Sequence, residues 1–418
     1  MNCRKCMLRY RIGCYQKMRR LIARLSAFKR QFHDVVGVGM LHFLVRYAGT
    51  VSANPVIRQQ YEEVQLGADG LREDDIKDAI TFFRAIQAFN SNYIREAIYG
   101  RLPFILRVVC AISALAPDYN QRFSRNVTLY EHRLLYRLCN AVGLDSGSIL
   151  LHNIKCYHEE LLAWALLHDQ PNNRLLVVIQ GISQLHNAPL LLCTDSTKLP
   201  SGSTVHSGVY HAASPLYEIL SLYIHMNFEH NFLRDYSLVL CGHGFGGSVA
   251  ALVGTMLLRH PTGTFTPNNI KVVAFGPFPF AGPDFAYKEH IHITSFVYRF
   301  DAISRLSLHA AEVLRTRKSA REEQSTSALS QKVLLESSNK DCAYFVPGTI
   351  YLLYPGTRSV SCAPEASDGS IDALVSDNEL EMCMCCRTVD SHDLAELILS
   401  EQALNDHFLY EDALKSIL

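Results

Sequence analysis

The chain has 418 residues, of which 48% are hydrophobic and 19% are charged, and its 40 basic and 40 acidic side chains balance to a net charge of zero. This composition predicts a globular protein with a large buried core, and the charge balance excludes a strongly basic protein, so no nucleic acid partner is expected. The 13 cysteines lack the dense spacing of a secreted disulfide scaffold, which favours a reducing, intracellular compartment.

The first segment, residues 1–30, is basic and carries no acidic side chain. Its run MRRLIARLSAFKRQF predicts a helix with an apolar face made of Leu21, Ile22, Leu25 and Phe28. Such a helix suits peripheral contact with an anionic membrane surface. A transit peptide and a solvated basic helix explain the same residues, and all three interpretations stay open.

Cysteine spacing gives weak support for a metal site. Cys3 and Cys6 form a CxxC pair with Cys14 behind it, but no second pair at zinc spacing follows. The CMCC run around Cys383 has the same defect. We therefore expect neither a metal nor another cofactor.

The second segment, residues 31–145, is predicted to be a helical region. In EDDIKDAITFFRAIQAFNSNYIREAIYG the apolar residues recur three and four apart, and Gly100 and Pro103 mark the end of the pattern. The longest apolar run, Leu102–Pro117, is too short for a bilayer and contains Arg107. We expect no transmembrane helix, and a location that is cytoplasmic or peripheral on a membrane.

The third segment, residues 146–418, has the pattern of an α/β domain. Short apolar runs alternate with helical patterns, and the runs are RLLVVIQGI, YSLVLCGH, IKVVAFGP, HITSFVYRF and TIYLLYPG. Strands of this kind are buried on both faces, which predicts a mostly parallel, doubly wound sheet covered by helices. Two stretches rich in serine and charge, near 316–340 and 357–382, are predicted to be surface insertions.

The most informative stretch is YSLVLCGHGFGGSVAALVG at Tyr236–Gly254, where an apolar strand pattern meets a glycine corner and then a helical pattern. A nucleophile elbow, G-x-S-x-G, has this order, and its serine projects above the sheet. Here the corner consists of Gly242, His243, Gly244, Phe245 and Gly246. All features of the elbow are present except the serine, because Gly244 stands in its place.

Two other interpretations of this corner stay open. GHGFGG also places Gly242, Gly244 and Gly247 at the G-x-G-x-x-G spacing of a nucleotide-binding turn, although the turn lies behind at least one earlier strand. The corner is equally compatible with a glycine-rich turn that has no chemistry.

The surrounding motifs resemble the class 3 lipases, a family with the α/β-hydrolase fold, and among them the diacylglycerol lipases. The resemblance spans Ile149–Leu414 and keeps the family's order. It rests on LLVVIQGI, VHSGVYHAA, VVAFGPFPF, HITSFVYRFDAISRLS, FVPGTIYLLYPGTR and ALNDHFLYEDAL. It implies that Asp301 matches the family's catalytic acid and that His407 matches its general base.

Departures from the family pattern concentrate around this site. Gly244 replaces the nucleophilic serine, and Ile182 replaces a threonine whose hydroxyl helps to bind the oxyanion, which leaves backbone donors such as the Phe245 amide. Gln180 replaces the family's arginine. Asn187 and Leu191 stand where the close relatives have aspartate.

We therefore expect a lipase-fold protein that has lost serine-dependent hydrolysis and keeps an apolar pocket for an acylglycerol or another lipid. The alternatives are an active lipase with another nucleophile and a nucleotide-binding protein. Ser183 and His243 lie near the corner but not at its apex, and Ser248 is expected to face neighbours in the helix.

Overall fold

The computed structural model describes only part of the chain. The described residues are 71–89, 127–154, 162–182, 190–191, 193, 195–228, 236–260, 265–307, 344–359, 380–394, 403 and 406–418. The basic segment 1–30, the predicted insertion 316–340, Ser183 and Asn187 lie outside them.

An eight-stranded sheet forms the centre of the fold. In sheet order its strands are β1 (Ile149–Asn153), β2 (Trp164–Asp169), β3 (Arg174–Ile179), β6 (Ser237–His243), β7 (Ile270–Phe275), β8 (His292–Tyr298), β9 (Thr349–Ser359) and β10 (Leu380–Val389). Strands β3, β6, β7, β8 and β9 pair in parallel, whereas β1, β2 and β10 join the edges antiparallel. A separate two-stranded sheet contains β4 (Ser196–Lys198) and β5 (Thr204–His206).

Both faces of the sheet are buried, and successive side chains of each strand point to opposite faces. In β3, Leu175 and Val177 pack into one core cluster, while Leu176 and Val178 pack into the other. All four are at most 1% exposed. This explains why the strand reads as a continuous apolar run.

Helices cover both faces. Helices α3 (Ser207–Phe228) and α4 (Phe245–Leu258) pack on one face, and α1 (Glu73–Phe89), α2 (Val127–Val142) and α6 (Tyr410–Lys415) pack on the other. The short helix α5 (Phe285–Lys288) joins the first group through Phe285. Helix α4 is apolar on nearly every side, as expected for a helix buried against a sheet.

The predicted α/β-hydrolase fold class, with its mostly parallel sheet, is confirmed. The five predicted apolar runs form β3, β6, β7, β8 and β9. The limits of the insertion predicted near 357–382 differ, because β9 continues to Ser359 and β10 begins at Leu380, and these two residues pair.

Helix α1 belongs to the region predicted as a separate helical segment, yet it shares the core of the sheet. Phe83 contacts Phe275 of β7 and Tyr410 of α6, with ring centroids 5.1 and 5.6 Å apart. The division of the chain at residue 145 stays a prediction. Among the helices that the structure describes, none is both long enough and apolar enough to cross a membrane.

Candidate active site

Gly244 lies at the apex of a tight turn between β6 and α4. Its backbone has φ +58° and ψ −127°, a conformation that L side chains rarely adopt. The turn is also crowded: a Cβ atom at Gly242 would lie 2.7 Å from the Gly247 nitrogen, and one at Gly246 would lie 2.5 Å from the Gln180 oxygen. Glycine at 242 and 246 is therefore required by backbone approach alone.

His407 and Asp301 form a buried pair beside this turn. The Asp301 carboxylate accepts from Nδ1 of His407, at 2.8 Å to Oδ2 and 3.0 Å to Oδ1. Asp301 lies just beyond β8 and is fully buried, and its Oδ1 also accepts from the Ile303 amide at 2.8 Å. Because Nδ1 carries a proton toward the carboxylate, Nε2 of the neutral ring is a proton acceptor.

The Nε2 atom of this ring faces the apex of the turn. A Cβ atom built at Gly244 would lie 3.0 Å from His407 Nε2 and 3.9 Å from Ile303 Cγ2. The structure thus brings together Gly244, His407 and Asp301, which are 57 or more residues apart in sequence. The imidazole also occupies part of the space that a serine side chain at 244 would need.

Two further residues of this site, Tyr410 and Gly276, were not predicted from the sequence. The Tyr410 hydroxyl donates to Asp301 Oδ2 at 2.5 Å and accepts from the Tyr298 amide at 3.1 Å. Burial, and then the Asp301 charge, raise the pKa of Tyr410 well above its usual value of 10.0, so the hydroxyl stays a donor. The only sequence signal was its place three residues after His407, within the quoted motif ALNDHFLYEDAL.

Gly276 is the second missed residue. Its φ is +52°, and a Cβ atom there would lie 2.8 Å from the Tyr410 hydroxyl and 2.9 Å from His407 Nδ1, and would overlap Asp301 Oδ2. A side chain at this position is incompatible with the pair. The signal available in the sequence was a glycine directly after an apolar strand.

His243, at the end of β6, lies beneath the His407 ring. The two rings stack with centroids 4.0 Å apart. Burial, and then the neighbouring His407, lower the pKa of His243 well below 6.5, so its ring is neutral at physiological pH. His243 is buried beneath the His407 ring and does not lie at the apex of the turn, so it is not placed to act as a nucleophile there.

Backbone amides at the start of α4 can serve as donors for an oxyanion. Phe245 is the first residue of α4, where amide N–H groups have no partner within the helix. Ile182 follows β3 and packs its apolar side chain against the core, where it offers no hydrogen-bond donor. Leu191 is likewise a partly buried apolar residue against this core.

Ser248 is not placed to act as a substitute nucleophile. Its hydroxyl is fully buried and donates to the Phe278 carbonyl at 2.6 Å.

The nucleotide-binding interpretation requires an acid at the end of the strand after the glycine turn, but β7 ends at Phe275 and is followed by Gly276. Within the described part of the chain, no group of three or more His, Cys, Asp or Glu side chains is arranged to hold a metal ion.

Comparison with known protein families gives a match to the region around this turn. The family model for lipase (class 3) matches residues 179–310, which include Gly244 and Asp301 but not His407. The phospholipase A1 PLIP2 of Arabidopsis thaliana, a chloroplastic protein, is 27% identical over 167 residues. That match covers 36% of this chain and 23% of the relative, so the chain spans about a quarter of the length of the curated relative that it matches.

Fungal lipases are among the solved structures that are similar to this chain. The lipase–propeptide complex of Rhizomucor miehei is 13% identical with a TM-score of 0.48, and the match covers 90% of this chain and 93% of that chain. The lipase of Rhizopus microsporus var. chinensis is 12% identical with a TM-score of 0.42, and the match covers 83% of this chain and 94% of that chain.

Proposed function

We propose that this chain belongs to the class 3 lipase family, binds an acylglycerol or a related glycerolipid, and has lost serine-dependent ester hydrolysis. The proposal rests mainly on one observation: Gly244 occupies the apex that the Nε2 atom of His407 faces, 3.0 Å from where its Cβ would be. A base and its orienting carboxylate are thus present without the hydroxyl on which they would act. Loss of a triad serine lowers turnover on the order of a million-fold.

The loss extends to the oxyanion site. Because Ile182 has no side-chain donor, the donors identified for a developing negative charge are backbone groups such as the Phe245 amide. Removal of one such donor reduces turnover by roughly 10² to 10³. Two independent defects therefore act on the same reaction, which favours a binding role over slow catalysis.

The immediate surroundings of the apex favour an apolar ligand. Ile303 contacts the position that a side chain at 244 would take, and Ile182 follows the strand next to the turn. Both are partly exposed at the edge of the large core cluster. The matched relative is named as a phospholipase A1, and the motifs of this chain resemble diacylglycerol lipases. A glycerolipid with acyl chains is therefore the proposed ligand, and diacylglycerol is the first to test.

Contact with an anionic membrane through residues 1–30 is part of this proposal and rests on the sequence alone. A protein that takes its ligand from a bilayer benefits from such contact, since basic side chains near the surface each contribute about 1 kcal/mol of attraction.

The test measures binding and turnover separately on the purified full chain. We expect a fluorescent diacylglycerol in vesicles to bind, Ile303→Asp to weaken that binding, and hydrolysis of diacylglycerol or phosphatidylcholine to equal that of a His407→Ala control. Hydrolysis that His407→Ala abolishes would show an active enzyme with another nucleophile. Saturable binding of a nucleotide with no binding of lipid would favour the nucleotide-binding alternative.

A further inference from the structure

His243 makes a contact with His407 that the triad geometry does not require. Its Nε2 lies 2.6 Å from the backbone carbonyl oxygen of His407, so Nε2–H is the donor and the carbonyl is the acceptor. His243 lies at the end of β6, which is anchored in the middle of the sheet. The turn that carries His407 is therefore tied to a strand of the central sheet.

The same residue also supports the face of the His407 ring. The two imidazoles are 4.0 Å apart with an interplanar angle of 23°, which is a stacked arrangement. The low pKa of His243 keeps its imidazole neutral, so the ring that stacks on His407 carries no positive charge. One side chain thus holds both the backbone and the ring of His407.

His243 is supported in turn by helix α1. Phe83 meets the His243 ring edge-on, with centroids 5.4 Å apart and an interplanar angle of 88°, and is 1% exposed. This helix lies far before residues 179–310, the segment that matches the family model. Phe83, which lies outside that segment, is therefore separated from His407 only by the side chain of His243.

We propose that His243 is a positioning residue for His407 and that Phe83 fixes His243 in this role. Asp301 holds Nδ1 at one edge of the ring, while His243 holds its face and its backbone. Together they leave Nε2 directed at the apex of the turn. This inference concerns the orientation of the imidazole and is independent of whether the wild-type protein hydrolyses any ester.

The test is a measurement of the His407 tautomer by ¹⁵N NMR of the full chain labelled at histidine, with His407→Ala used to assign the signals. In the wild type we expect His407 to show one tautomer, protonated at Nδ1. His243→Phe keeps a ring but removes the N–H donor, and His243→Gln keeps a donor but removes the ring. We expect both to replace the single pattern with exchange-averaged nitrogen signals.

Phe83→Leu and Phe82→Leu provide a matched pair, because both residues are 1% exposed and adjacent in α1, while Phe82 packs beneath the Arg174 guanidinium instead. We expect Phe83→Leu to move the His407 signals in the same direction as the His243 variants, and Phe82→Leu to leave them in place. Thermal unfolding of each sample separates lost stability from lost orientation. Unchanged His407 signals in His243→Phe, or equal shifts in both leucine variants, would overturn the proposal.

Discussion

The Nε2 atom of His407 lies 3.0 Å from the position that a Cβ atom would take at Gly244. This distance is short for a Cβ contact, so the ring would have to retreat by a few tenths of an ångström to admit a side chain at this position. The turn and the histidine that faces its apex are thus both present, with glycine between them.

Gly276→Ala should disrupt the pair of His407 and Asp301 and lower the stability of the protein. The added Cβ would overlap the Asp301 carboxylate and lie 2.9 Å from His407 Nδ1. Gly143 is the matched control, because its φ is +72° and a Cβ there would meet nothing within 4 Å.

Both variants bear the strain of a left-handed backbone, about 1–2 kcal/mol, and only Gly276→Ala adds the overlap. We expect urea denaturation to show a loss of about 1 kcal/mol for Gly143→Ala and at least about 3 kcal/mol for Gly276→Ala. Equal losses would contradict the packing described around Asp301.

Tyr410→Phe should destabilise the protein by about 1–3 kcal/mol, because it removes a donor to buried Asp301 and leaves the Tyr298 amide without its acceptor. Tyr351→Phe is the control: its ring stacks on Phe296, and it should change stability by less than about 0.5 kcal/mol. The free energies of unfolding of both variants test this difference. A change for Tyr410→Phe no larger than that of the control would show that the buried hydroxyl contributes nothing.

Local patterns in the sequence were sufficient for some parts of this site. The strand, the glycine corner and the helix at Tyr236–Gly254 follow from apolar periodicity and the requirement for glycine where backbones approach. The family-like motifs pointed to Asp301 and His407. Each of these signals lies within a few residues of the feature that it predicts.

The parts that sequence reasoning missed depend on contacts distant in the chain. Phe83 lies on a helix whose apolar periodicity predicts burial but not the histidine against which it packs. The β10 strand carries the run CMCC, which was considered as a metal motif, although Cys385 and Cys386 face opposite core clusters. Alternation across a strand, more than cysteine spacing, explains that run.

Asp406→Asn should increase stability at neutral pH. Burial, opposed by Arg299 and the Phe300 amide, raises the pKa of Asp406 from 3.8 to about 6. Between these two pH values the folded state holds a proton that the unfolded state releases, so this group lowers the free energy of unfolding as pH rises. Above pH 6 the buried carboxyl therefore lowers the free energy of unfolding by about 3 kcal/mol.

Asparagine still offers an oxygen to the Phe300 amide, which donates to Asp406 Oδ2 at 3.2 Å. Urea denaturation of wild type and Asp406→Asn between pH 4 and 7 should therefore give curves that diverge as pH rises, with the variant more stable at pH 7. Parallel curves would show that the buried carboxyl titrates at an ordinary pH.

His206→Phe should change the pH dependence of stability in the opposite sense. Burial lowers the pKa of His206 from 6.5 to about 4, and its Nδ1 has no hydrogen-bond partner among the described residues. Between these values the unfolded state binds a proton that the folded state excludes, so wild-type stability falls as pH drops, by about 3 kcal/mol in total.

Phenylalanine preserves the edge-on contacts with Phe278 and Tyr344 and has no proton to bind. Compared with wild type, the variant should lose less stability between pH 6.5 and pH 4 in the same denaturation series. A variant that loses as much as wild type would locate the acid sensitivity in another group.

The most direct test of the proposal that only a hydroxyl at position 244 is missing is the labelling of Gly244→Ser by a fluorophosphonate probe, with wild type, Gly244→Ala and Gly244→Ser/His407→Ala measured in parallel. We expect only Gly244→Ser to be labelled, on the introduced hydroxyl, at a strain cost of roughly 1–3 kcal/mol in the tight turn. Ester turnover should stay low until Ile182→Thr is added, because that threonine supplies the missing oxyanion donor. Labelling of wild type that depends on His407 would contradict the account, as would a folded Gly244→Ser/Ile182→Thr double variant that neither labels nor hydrolyses a short ester.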